Sequence, residues 1–137
     1  MVRPEVIRKR IEKIDEYVSV LERIQNYSLE EFRNEPERYG SAERFLQLAI
    51  ESINDAASHV IAETGAGSVD QYADLPEIFA REGWIDEERA EQWIAMIGFR
   101  NILVHDYLEI DRTIVYEVLQ ERLDEIRALQ RALAEFL

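Results

Sequence analysis

Ser41-Ala42-Glu43-Arg44-Phe45-Leu46-Gln47-Leu48-Ala49-Ile50-Glu51-Ser52-Ile53-Asn54-Asp55-Ala56-Ala57-Ser58-His59-Val60-Ile61-Ala62-Glu63 is the run on which the fold turns. Phe45, Leu48, Ala49, Ser52, Ala56 and Val60 recur at helical spacing on one side, with Leu46, Ile50, Ile53, Ala57 and Ile61 beside them. So wide an apolar arc needs neighbours on several sides, which makes this the central helix of a bundle. Gly65-Ala66-Gly67-Ser68 ends it. Upstream, Ser28-Leu29-Glu30-Glu31 matches a capping box that opens a short helix, bounded by Pro36 and Gly40.

The flanks carry the same period. From Pro4 to about Asn26, Ile7, Ile11, Ile14, Val18 and Leu21 form an amphipathic stripe, and Pro4 suits a first helical turn because its missing N–H would have no partner there. A loop through Tyr72 leads to a short helix at Pro76 to Arg81, closed by Gly83. Asp86 can cap the next helix, with Glu87 and Glu88 in its positive first turn, and Trp93, Ile94, Ile97 and Leu103 carry it towards His105. A last helix is predicted from Asp111 to Leu137 on Ile114, Val115, Val118, Leu119, Ile126, Leu129, Leu133 and Phe136. No period-two strand pattern occurs. The expected fold is an all-α antiparallel helical bundle, four long helices plus one or two short ones, in a single domain over residues 1–137.

Composition narrows the function. The 137 residues include no cysteine, which removes thiolate nucleophiles, disulfides and Cys metal sites and suits a reducing cytoplasm. The charged amino-terminal segment does not read as a signal peptide, and no run approaches a membrane span, so a cytoplasmic protein is expected. A net charge of -13 argues against binding duplex DNA non-specifically, since that affinity comes from Lys and Arg at phosphates. Any nucleic-acid contact must be local. Arg3, Arg8, Lys9, Arg10, Lys13, Arg44 and Arg100 are the cations that could supply it.

His59 and His105 are the only histidines, so a mechanism that needs an acid/base group near neutrality has few candidates. His59, flanked by Ala56, Ala57, Val60 and Ile61, reads as a packed or interface histidine. His105 stands in Arg100-Asn101-Ile102-Leu103-Val104-His105-Asp106-Tyr107, which gathers a permanent cation, an amide, an acid/base group and a phenol within eight residues. Asn101 and His105 share a helical face, whereas Arg100 and His105 would point some ~140° apart, so either the helix ends between them or a second chain contributes to the site. A two-fold dimer would bring both copies around one cleft. The same residues also fit surface ion pairs and half-buried rings that merely finish a helix. Glu30-Glu31 and Asp86-Glu87-Glu88 are explained by helix starts, Trp84 and Trp93 by a core or dimer contact, and no metal-ligand set or cofactor motif is present, so no cofactor is expected.

The run from Arg100 to Tyr107 resembles the Arg-X4-His-X-Tyr motif of HEPN proteins, specifically the HepT-like toxins. Glu43 to Glu51, followed by His59 to Glu63, is similar to the long second helix of that family, and Gly83-Trp84-Ile85-Asp86 and Glu109-Ile110-Asp111 extend the likeness. The resemblance implies a homodimer with its two motifs facing a shared cleft. It further implies a metal-independent endoribonuclease, the toxin component of a type VII-like HEPN/MNT toxin-antitoxin system, acting on tRNA or mRNA and leaving a 2′,3′-cyclic phosphate. His105 would be the acid/base, Arg100 the stabiliser of the phosphorane and Asn101 a phosphate ligand. Tyr107 would accept AMP from an MNT-type nucleotidyltransferase antitoxin. The alternative is a non-catalytic substrate-binding or scaffold subunit of a nucleotidyltransferase complex.

Overall fold

The central helix begins at Pro36 and runs straight through Gly40. In the computed structural model, which describes residues 3–137 apart from the Tyr107 side chain, α1 spans Pro4–Ile24, α2 Leu29–Asn34 and α3 Pro36–Thr64. α4 spans Asp74–Arg81 and α5 Glu87–His105; a 3-10 turn at Tyr107–Glu109 precedes α6 (Arg112–Glu121) and α7 (Leu123–Ala134). All regular elements among the described residues are helical, as expected. The sequence placed the start of α3 at Ser41 because glycine in a helix costs about 1 kcal/mol relative to alanine. Pro36 supplies a first-turn φ, and the 29-residue helix gains enough packing against α1 to outweigh that cost.

The ends follow local chemistry. The Ser28 hydroxyl accepts from the Glu31 N–H at 3.1 Å while the Glu31 carboxylate accepts from the Ser28 N–H at 2.9 Å, completing the capping box. Those hydrogen bonds, backbone first, hold the Glu31 carboxyl below its ordinary pKa. Gly65 closes α3 with φ 69°, a left-handed value that a side chain disfavours, and its N–H and that of Ala66 both donate to the Ile61 carbonyl.

α1 lies antiparallel to α3: Arg3 pairs with Glu63 at 3.5 Å, Arg10 with Asp55 at 3.9 Å, and the Tyr17 and Phe45 rings meet at 5.8 Å. Ile7, Ile14, Val18 and Leu21 are wholly buried between the helices. α7 covers the other flank of α1, where Arg127 pairs with Asp15 and Glu22 and the Gln130 amide donates to the Ile11 carbonyl at 3.2 Å.

The stretch predicted as one helix from Asp111 to Leu137 is two. It breaks at Arg122, where φ is -115°. In an unbroken helix the Leu119 carbonyl would accept from Leu123 N–H. Here the Gln25 side chain donates to it at 2.9 Å, and the Gln120 side chain returns a bond to the Gln25 carbonyl at 2.9 Å. The end of α1 and the α6–α7 corner thus cap each other, which no local pattern foretells.

Candidate active site at the end of helix α5

Asp86 starts α5 by accepting from the Arg89 N–H at 2.8 Å, as its sequence position predicts. The helix then runs unbroken to His105, with Asp106 N–H still donating to the Ile102 carbonyl at 2.9 Å. The helix therefore does not end between Arg100 and His105, and the two residues face different ways.

The inner side of α5 is fastened to α3. Trp93 is buried, and its ring N–H donates to the Asn54 side chain at 2.9 Å. Two turns on, Arg100 donates from Nε at 2.9 Å and Nη2 at 2.7 Å to a single oxygen of Glu51, and from Nη1 to Asn101 Oδ1 at 3.2 Å. Glu51 is itself held by the Gln47 amide at 3.1 Å, and the Tyr72 ring lies 6.0 Å from the Arg100 guanidinium. Arg100 has five N–H groups and three are taken, so two remain for an anion. The carboxylate holds the guanidinium in one orientation, as charge-assisted pairs do.

The outer side is bare. Glu91, Ile94, Ala95, Gly98, Asn101, Ile102 and His105 fall within about a third of the helix circumference and are all exposed. Ile94, one of the apolar positions that mark this helix in the sequence, is 48% exposed, and Ile102 is 47% exposed. Apolar residues occur on both sides of α5, so the pattern by itself does not say which of them are buried. Among the described residues His105 has neither a hydrogen-bond nor an ion-pair partner. The predicted modification site Tyr107 begins the 3-10 turn after α5, and its side chain lies outside the described residues.

His59 is enclosed on α3, its Nδ1 4.0 Å from Glu63 and its Nε2 buried without a partner among the described residues, in keeping with a packed role. Trp93 is in the core, and the half-buried Trp84 packs against it, edge-on to Phe79 and Phe136. Of the seven candidate cations, Arg3, Arg10, Lys13 and Arg100 form ion pairs with this chain's own acids. Sequence reasoning did not single out Glu51 as the partner of Arg100, nor Arg112, whose guanidinium lies 3.8 Å over the Tyr39 ring. The one-turn spacing of Tyr39, Glu43, Gln47 and Glu51 was the signal available.

Known proteins match almost the whole chain. A family model described as Ribonuclease HepT-like matches residues 7–133. A tRNA nuclease HepT of Aphanizomenon flos-aquae is 28% identical over 139 residues, covering 99% of this chain and 92% of that protein. An mRNA nuclease HepT of Shewanella oneidensis is 31% identical over 80 residues, covering 58% of this chain and 60% of that protein. Among solved structures, a tri-AMPylated Shewanella oneidensis HEPN toxin in complex with MNT antitoxin has a TM-score of 0.87 at 23% identity, covering 95% of this chain and 97% of that one. That last likeness is one of fold.

Proposed function

The chain belongs to the Ribonuclease HepT-like family, and from that premise we propose that it is a ribonuclease toxin, folded as a single domain over residues 1–137, that cuts tRNA or mRNA without a metal. It acts in the cytoplasm as a homodimer and is neutralised by an MNT-type nucleotidyltransferase antitoxin. The observation that carries this reading is the division of labour at the end of α5. Arg100 is oriented by Glu51 with two donors to spare, while His105 stands exposed, without a partner among the described residues, beside an exposed apolar stripe.

RNA brings its own nucleophile, so the protein has only to move protons and stabilise charge. The 2′-oxygen attacks the adjacent phosphorus and gives up its proton while the departing 5′-oxygen gains one; His105 serves one of these two transfers and water the other. The new 2′-O–P bond replaces the P–O5′ bond, which gives a 2′,3′-cyclic phosphate and a free 5′-hydroxyl. Arg100 lowers the barrier by donating to the charged phosphorane, and Asn101 orients the phosphate.

Within one protomer Arg100 and His105 diverge. A second copy docked on the outer face of α5 brings its own His105 to the cleft and buries Ile94, Ala95, Gly98 and Ile102. Ala95 and Gly98 allow the helices to approach closely; a side chain added at Gly98 meets nothing within 4 Å in the protomer. AMP on Tyr107, two residues beyond His105, adds bulk and negative charge that exclude an RNA phosphate.

The test is cleavage of labelled RNA in EDTA by wild-type and His105→Ala protein. Cleavage by wild type alone supports the reading; cleavage by neither returns the protein to the substrate-binding or scaffold class. AMP on Tyr107 after co-expression with the antitoxin, read by mass spectrometry, tests the regulation separately.

A further inference from the structure

α3 carries Tyr39, Glu43, Gln47 and Glu51, each one turn after the last, as a stripe about 18 Å long at 1.5 Å per residue. Its two ends hold arginines that bracket His105 in the chain. Glu51 holds Arg100, five residues before His105. Tyr39 holds Arg112, seven residues after it, with the guanidinium carbon 3.8 Å from the ring centroid.

The two arginines are held differently. Arg100 is neutralised by a carboxylate, whereas Arg112 is exposed and, among the described residues, has neither a hydrogen bond nor an ion pair. Glu43 lies near enough to act on Arg112 through charge, yet burial raises its carboxyl pKa, and its Oε2 is buried with no hydrogen-bond partner among the described residues. The Arg112 backbone is fixed as well, because it opens α6 directly after Asp111, whose side chain accepts from Thr113 N–H at 2.9 Å. A guanidinium stacked on a ring, with its donors unfilled, is set to receive an anion.

We propose that the Tyr39–Arg112 pair is an RNA subsite, binding a phosphate and its nucleotide farther along the strand from the phosphate cleaved at His105. The inference rests on the ribonuclease reading and extends it from the bond broken to the strand held. Arg112 offers a planar fork to phosphate oxygens, and the stacked pair offers a flat surface to an unstacked base. Only a single-stranded segment can use both, because a paired base cannot reach the platform. In a chain of net charge -13, an uncommitted arginine on the segment that follows His105 carries more weight than the paired ones on α1.

The test uses full-length His105→Ala protein, which binds without cutting, and a fluorescently labelled single-stranded RNA, with anisotropy read over a series of salt concentrations. Adding Arg112→Gln is expected to raise Kd about ten-fold and to reduce the slope of log K against log salt by about 0.7, the signature of one phosphate contact. Arg112→Lys restores the slope but only part of the affinity; Tyr39→Ala loses affinity with little change in slope. Circular dichroism confirms that each variant is folded. RNA binding by the parent that Arg112→Gln leaves unchanged in Kd and slope overturns the subsite and spares the ribonuclease reading. Absence of RNA binding by the parent overturns both. Weakened capture of the antitoxin with unchanged RNA affinity also overturns the subsite, assigning the pair to the protein partner.

Discussion

The two faces of α5 are built from similar material and have opposite fates. On the inner face Ala90, Trp93, Met96 and Ile97 are buried, and Trp93 and Arg100 are tied to Asn54 and Glu51. On the outer face Ile94, Gly98, Ile102 and His105 are exposed, and His105 has no partner among the described residues. The difference teaches that α5 does two jobs. One side anchors the helix and sets the angle of the arginine; the other leaves a histidine and an apolar surface exposed.

The sharpest separation of the two faces is His105→Ala, expected to lower RNA cleavage by about 10²–10⁴-fold in initial-rate assays. The melting free energy should stay within about 0.5 kcal/mol, since the residue is exposed. Trp93→Ala reverses the pattern: it removes a buried ring and its bond to Asn54, and should cost roughly 3–5 kcal/mol in denaturant titration. If Trp93→Ala unfolds no more readily than His105→Ala, the inner face does not anchor the helix.

Gly98 probes the outer face in both directions. Gly98→Arg should leave the circular dichroism spectrum unchanged but shift light scattering from dimer to monomer, with cleavage falling alongside; a dimer that persists would move the interface elsewhere. Gly98→Ala meets no atom in the protomer and should add about 0.4–1 kcal/mol to the stability of the helix.

The smallest effect lies on α3, on the stripe that also anchors Arg100. Burial raises the Glu43 carboxyl above 4.5, its ordinary value, with Arg112 opposing. In the window just above that value the folded state binds more protons than the unfolded one, so this group makes stability fall as pH rises through it. Glu43→Gln should flatten that part of the stability–pH curve, as followed by thermal melts from acid to neutral pH.

Local features were readable because their partners lie within a turn. Ser28 and Glu31, Asp86 and Arg89, and Gly65 with the Ile61 carbonyl all close loops of at most five residues, so residue type and spacing suffice. The chemical inventory from Arg100 to Tyr107 was equally plain. What stayed hidden depended on distant chain. Gly40 is helical because α1 packs on α3, and the last helix breaks because Gln25, 94 residues away, takes the Leu119 carbonyl. The exposure of Ile94 was not legible either, because an apolar residue does not say which of two faces finds a neighbour.

The sequence by itself determined the helices, their caps, the all-α class and the residues on which the proposed chemistry rests, since each follows from side-chain type and 3.6-residue periodicity. Only the tertiary structure decided that Arg100 turns to Glu51, 49 residues earlier, that Arg112 rests on Tyr39, and that His105 is left facing outward. Those outcomes depend on how helices cross, and the crossing is fixed by the summed burial of the whole core rather than by any one segment.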